Sequence, residues 1–299
     1  MGISISGFTF LKDVVKPGYP FMESIQSLLP LVDEMVVVVG KSSDETLNLV
    51  RSIQSDKIRI FETIWNEKME QRGFVYAQQK MIGQYLCRGD WAFYLEGDEV
   101  LHEKDLENIR KAIADHHSDP RVEALYFRYY HFHCSPHYLI KSPNCVRSEC
   151  RIIRNTIRSY APDGLYWVVM DYRRKGRYPR AVPANAHIYH YGNCQAEEKK
   201  QLKVNQVSRY WSHEPPRFSY RDIDPKILSE FKGTHPAIMK DWIARECDLT
   251  FSPVQCKKTH MTARDWKYRA SMVVESLLSV DLSKRRFVAL DGSRDHRNV

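Results

Sequence analysis

The 299-residue sequence predicts an α/β protein, a mainly parallel sheet flanked by helices with a helical C-terminal extension. Three observations carry this. Strand and helix signals alternate through the first hundred residues, the order that builds parallel strands through right-handed crossovers. Residues 34–39, EMVVVV, are a β-branched run of the kind buried on both faces of a parallel sheet. Residues 91–99, WAFYLEGDE, read as a short apolar strand that stops at three carboxylates, Glu96, Asp98 and Glu99. Open α/β sheets place ligands at the carboxyl ends of their strands.

The elements follow in order. Residues 3–10 are strand-like, and 20–29 carry Phe21, Ile25 and Leu28 at helical spacing. After the strand at 34–39, Ser43 or Asp44 can cap a helix running through Leu47, Val50 and Ile53. A strand at 57–64 and a long helix at 72–87 precede the strand at 91–95. A helix is expected at 103–116, and strands at 124–133, 149–154 and 186–191. Pro215 and Pro216 break the pattern. The organisation predicted is one domain over 1–215, with a ligand-binding half to about 100 and a second half to 215. A polar, basic, helical extension covers 216–299, with a disordered tail from Asp291.

Residues 1–150 hold 17 Lys+Arg and 21 Asp+Glu, whereas 151–299 hold 28 and 16. The second half is therefore basic and suits phosphate-bearing ligands, although a solvated basic surface explains it as well. Seven scattered cysteines with no CxxC pair fit a reduced, cytoplasmic protein. No stretch approaches membrane-span length, and the N-terminus is not expected to be a signal peptide. Trp242, Trp266, Lys267 and Arg269 are compatible with a peripheral membrane contact, but a helical lid or dimer surface is the plainer reading. Oligomeric state is open.

Acid-x-acid at a strand end suits a hard divalent cation, Mn2+ or Mg2+, and such a cation can hold a diphosphate. Loops after neighbouring parallel strands open on one edge. Residues 8–10, residues 40–44 and the acid cluster can thus meet on one ligand. Asp44 reads foremost as a helix cap. Residues 131–137, HFHCSPH, match no standard zinc spacing and read as an aromatic wall.

The ordered set VVVVGKSSDET, Arg72-Gly73-x3-Ala77-Gln78 and GDWAFYLEGDE resembles the nucleotide-binding half of family 2 glycosyltransferases, which have the Rossmann-like GT-A fold. SGFTF, YPFMESIQSLLPLVDE, DEVLHEKDL, the HYG at residues 190–192 and FKGTHPAIM resemble one bacterial branch of that family. The resemblance implies an inverting, hexosyltransferase-type enzyme. It would move a sugar from a nucleotide-sugar, foremost a UDP-sugar, to a glycan or lipid-linked acceptor hydroxyl. Asp98 would be the principal carboxylate on the metal or diphosphate, with Glu96 second and His190 reaching the same place. Phe8, Thr9 and Gly40 would lie along the base and ribose, and Arg72 near the nucleotide. Gly40 stands where the family has an acid, and Glu96 where it has Asp. A general base is then needed from the second half. Asp163, in a Pro-Asp-Gly turn beside Tyr166 and Trp167, is the first choice, and Glu149 the second.

A nucleotidyltransferase shares the sheet and the paired acids, but it needs a Gly-rich loop after the first strand, which GFTFLKDVVKPG lacks. No nucleic-acid-binding module signature accompanies the basic half, so no nucleic acid partner is expected. The non-enzyme alternatives are a basic nucleic-acid-binding protein and an inactive transferase-like binding protein.

Overall fold

The computed structural model describes residues 2–290 apart from 174, 212, 213, 259 and 260. The tail expected to be disordered lies outside the described residues. β1 (Ile5–Leu11), α1 (Phe21–Leu28), β2 (Glu34–Gly40), α2 (Thr46–Ser52), β3 (Ile58–Thr63), α3 (Phe74–Leu86) and β4 (Trp91–Tyr94) follow in the expected order. β3, β2, β1 and β4 lie side by side and run parallel. β2 buries both faces as its composition requires. Met35, Val37 and Val39 join Ile25 and Leu28 of α1 in one core, while Val36 and Val38 join Phe8 in another.

α3 begins two residues later than predicted. Arg72 and Gly73 have φ of 45° and 67°, left-handed values that a right-handed helix cannot include. The N-cap of α2 is Glu45, with no side-chain cap bond, rather than Ser43 or Asp44. Asp44, one residue earlier, instead ties two loops together, accepting the Thr46 amide at 3.1 Å and, from the loop after β1, the Val15 amide at 3.0 Å.

After β4 the chain turns at once into β5 (Glu99–Leu101), then α4 (Leu106–His116), β6 (Ala124–His133), β7 (Ser135–Ile140) and β8 (Ser148–Arg154). β8 lies antiparallel between β4 and β6. β9 (Ser159–Tyr160), β10 (Val168–Met170) and β11 (Gly176–Arg177) form a small separate sheet. β12 (Arg180–Asn193) is far longer than the strand expected at 186–191, because it runs parallel to β6 and antiparallel to β5 at once. That double pairing sets His190 opposite Glu99.

α5 (Glu197–Tyr210) follows, on a stretch whose polarity hid it from sequence reading. Beyond 215 the chain carries α6 (Lys240–Glu246) and α7 (Ala263–Leu278), and also two strands the expected helical extension did not include. β13 (Leu228–Glu230) pairs with β7, and β14 (Val288–Ala289) pairs with β12. Main-chain bonding to the sheet's free edges explains both. Trp242 is buried in a core with Tyr189 and Tyr191 and so is not a surface contact residue, whereas Trp266 is exposed. Among the described residues, no helix is long and apolar enough to cross a membrane.

Candidate active site

The acid loop between β4 and β5 is a tight turn, closed by the Glu99 amide donating to the Glu96 carbonyl at 3.0 Å. Its three carboxylates have different partners. Glu99 is fully buried and fixes the loop. It takes Arg151 Nε at 2.8 Å and a second guanidinium nitrogen at 2.6 Å, the Tyr129 hydroxyl at 2.9 Å and the Glu96 amide at 3.1 Å. Arg151 also donates to Glu96 at 2.8 Å and lies against the Tyr94 and Tyr129 rings. Burial, and next the charge of Glu99, push the Glu96 carboxyl up to about 7 despite Arg151. Asp98 faces the other way. Burial would raise its carboxyl, but the Lys203 ammonium bonded to it and His190 Nε2 at 3.4 Å hold it well below the usual carboxylate range.

A second histidine orients the first. His131 Nε2 lies 2.5 Å from the Val146 carbonyl, and burial, then His190, drives its ring down to about 3. His131 is therefore neutral, with its proton on Nε2, and its Nδ1 accepts from His190 Nδ1, 3.1 Å away. The bond directs His190 Nε2 at Asp98.

Glu96, Asp98, His190 and Lys203 open into one cleft of about 200 Å3 at the carboxyl edge of the sheet. Glu96, Asp98, His190 and Asp163 all line it, so the structure brings four of the predicted site residues together. The Asp163 carboxylate accepts the Leu165 amide at 3.0 Å, the expected turn, and holds its place in the wall. The others fall elsewhere. Phe8 and Thr9 are buried in mid-strand. Because β1 runs on to Leu11, the cleft takes Phe10, Leu11 and Lys12 instead. Gly40 lies beneath the Trp65 indole. A Cβ there would sit 2.9 Å from Trp65 Cδ1 and closer still to Nε1, so the glycine makes room for a tryptophan that itself lines the cleft. Trp65 packs edge-on against Tyr76 and Tyr210. Arg72 is exposed on a separate depression beside Lys68 and Pro162.

Glu149 is buried behind the site, accepting the Cys150 amide at 3.1 Å and Arg286 at 3.3 Å. Trp167, next to the Pro-Asp-Gly turn, is interior and donates to Gln84 at 2.8 Å. Residues 131–137 do not line the cleft as an aromatic wall: the half-buried His131 is bonded to His190 and the Val146 carbonyl, and the half-buried His133 lies edge-on to Tyr220. Sequence reading missed Arg151 and Lys203 as site residues. Arg151, inside the apolar run CRIIR, is a charge that must find a buried acid. Lys203, in EEKKQLKVNQ, carries no comparable signal.

The residues expected to hold Mn2+ or Mg2+ do not fit a divalent ion as arranged. Glu96 is turned to Arg151 and Asp98 to Lys203. Among the described residues, no three His, Cys, Asp or Glu groups converge on one point. A hard cation needs several free oxygens at once.

Beneath the cleft, Lys80 is fully buried. Its Nζ has no hydrogen-bond partner among the described residues and rests 3.8 Å from the Trp167 ring centre and 4.3 Å from that of Tyr94. Burial, then Arg151, pushes it from 10.5 down to about 7. The folded state thus binds fewer protons than the unfolded chain between these two values, and stability rises with pH across that window. Lys80→Met should raise stability at pH 7 by about 1–4 kcal/mol and flatten that pH dependence. Urea melts at pH 7 and 10 check this. A destabilised variant at pH 7 would show that the ammonium has a compensating partner.

No family model matches the chain. It is similar to an uncharacterized glycosyltransferase of Rickettsia typhi, 24% identical over 96 residues, and to one of Rickettsia felis, 26% identical over 96 residues. Those matches cover 32% of this chain and 29–30% of the relatives, so the chain spans about three tenths of the length of the curated relatives it matches. Among solved structures it is similar to S. aureus TarS residues 1–349 at 14% identity and TM-score 0.39, over 69% of this chain and 64% of that one. TarS 1–349 in complex with UDP matches at 14% identity and TM-score 0.34, over 51% and 47%.

Proposed function

We propose that the protein is a glycosyltransferase that moves a sugar from a nucleotide-sugar to a hydroxyl of a glycan or lipid-linked acceptor, with inversion. The observation that carries this reading is one cleft at the carboxyl edge of a parallel sheet that holds Asp98, His190 and Lys203 together with a separate carboxylate, Asp163. The likeness to curated bacterial glycosyltransferases supports it. The acceptor oxygen attacks the anomeric carbon as the bond from that carbon to the phosphate oxygen breaks in line. Asp163 takes the hydroxyl proton, and the nucleoside diphosphate leaves with the bonding electrons. The aromatic wall of Trp65, Tyr76 and Trp211 gives the base and sugar faces to pack on.

A thermal-shift panel of UDP-, GDP-, dTDP- and CMP-sugars, with and without manganese, tests the donor. At least one should raise the melting temperature, and no shift from any of them sinks the reading. Asp163→Asn should keep donor binding and lose turnover by about a hundred-fold or more. Near-normal turnover in that variant removes Asp163 as the base.

A further inference from the structure

We propose that Lys203 is the cleft's built-in cation, standing where a divalent metal would otherwise sit and receiving the diphosphate portion of the ligand without one. The ammonium is held at a defined point. It bonds Asp98 Oδ2, donates to the Gly192 carbonyl at 3.1 Å and lies 4.6 Å from the Tyr19 ring centre, while lining the cleft. Gly192 is the residue that lets Asp98 and Lys203 meet, since a Cβ there would strike both and come within 2.9 Å of His190 Nε2. One turn earlier, Lys200 braces the same carbonyl at 3.0 Å. The loop's charge is already answered on both sides: Glu96 and Glu99 by Arg151, and Asp98 by Lys203. A divalent ion would have to displace an ammonium from its carboxylate. A diphosphate need only share it, with the charge-assisted bonds that an ammonium gives to phosphate oxygens.

The inference rests on the nucleotide-sugar reading only for what the anion is attached to. The test therefore uses two simple probes on the full chain. Manganese alone is followed by electron paramagnetic resonance, and inorganic pyrophosphate by calorimetry with and without EDTA. In the native protein pyrophosphate should bind equally well, within about two-fold, in EDTA, and manganese should stay free. Lys203→Met should bind pyrophosphate at least about ten-fold more weakly and manganese at least about ten-fold more tightly, because Asp98 and His190 are released. Lys203→Arg keeps the charge, so it should retain pyrophosphate binding and still exclude manganese even if the methionine variant folds poorly. Pyrophosphate binding that EDTA abolishes in the native protein overturns the proposal, as does failure of pyrophosphate to bind. Unchanged pyrophosphate affinity in Lys203→Met does the same. If pyrophosphate behaves as expected but no nucleotide-sugar binds, the anion site stands and the transferase reading falls. If a nucleotide-sugar binds only with manganese, the reverse holds.

Discussion

Arg151→Leu should destabilise the protein by about 3–5 kcal/mol, the cost of removing one partner from a buried charge cluster. The arginine is fully buried and donates to both Glu96 and Glu99. Leucine fills part of the space but answers neither charge. In a chain of this length such a loss lowers the melting temperature by on the order of 10 °C. The pH dependence separates electrostatics from packing. In the native protein the Glu96 carboxyl already sits at about 7, above its ordinary 4.5, so its contribution is greatest below 4.5 and is lost as pH rises through about 7. Without Arg151 that window should widen, and the variant should be much closer to native stability at pH 5 than at pH 8. Adding Glu96→Gln and Glu99→Gln to Arg151→Leu should restore part of the loss at pH 8. A melting temperature within about 2 °C of the native value would mean that the guanidinium does not hold the acid loop.

Gly192→Ala should leave the fold standing and remove ligand binding. The glycine is in β12, with backbone angles any residue adopts, so an added methyl brings no backbone strain. The effect is steric and local: the Cβ lands between Asp98 and Lys203 and 2.9 Å from His190 Nε2. Overpacking of this kind costs about 1–3 kcal/mol of stability, which a protein of this size survives. The separation of Lys203 from Asp98 should weaken nucleotide or pyrophosphate binding by about a hundred-fold, since a misplaced charge loses most of its charge-assisted bond. Gly2→Ala is the control, because nothing lies within 4 Å of a Cβ at Gly2. Calorimetry on both variants, with circular dichroism to confirm folding, checks the expectation. Native affinity in Gly192→Ala would show that the Asp98–Lys203 contact is not part of the binding site.

The parallel half of the sheet was legible in the sequence because its signals are local. A β-branched run such as EMVVVV has few ways to bury both faces, and alternation with helices leaves one handedness of crossover. The acid loop was legible for the same reason, since three carboxylates after an apolar strand have nowhere else to go. Small displacements followed from local geometry: β1 ran on to Leu11, so the cleft took Phe10, Leu11 and Lys12 rather than Phe8 and Thr9. Trp65 took the space above Gly40.

What the sequence by itself determined, then, is an α/β sheet with carboxylates at its carboxyl edge, and Asp98, His190 and Asp163 among the residues that reach the cleft there. Which charge answers which was decided only by tertiary structure. Arg151 arrives through the antiparallel pairing of β8 with β4, His190 through the pairing of β12 with β5, and Lys203 from a helix whose own sequence looks solvated. The physical reason is that burial fixes a strand's composition residue by residue, whereas a buried charge is satisfied by any opposite charge the fold delivers within about 3 Å, however distant in the chain.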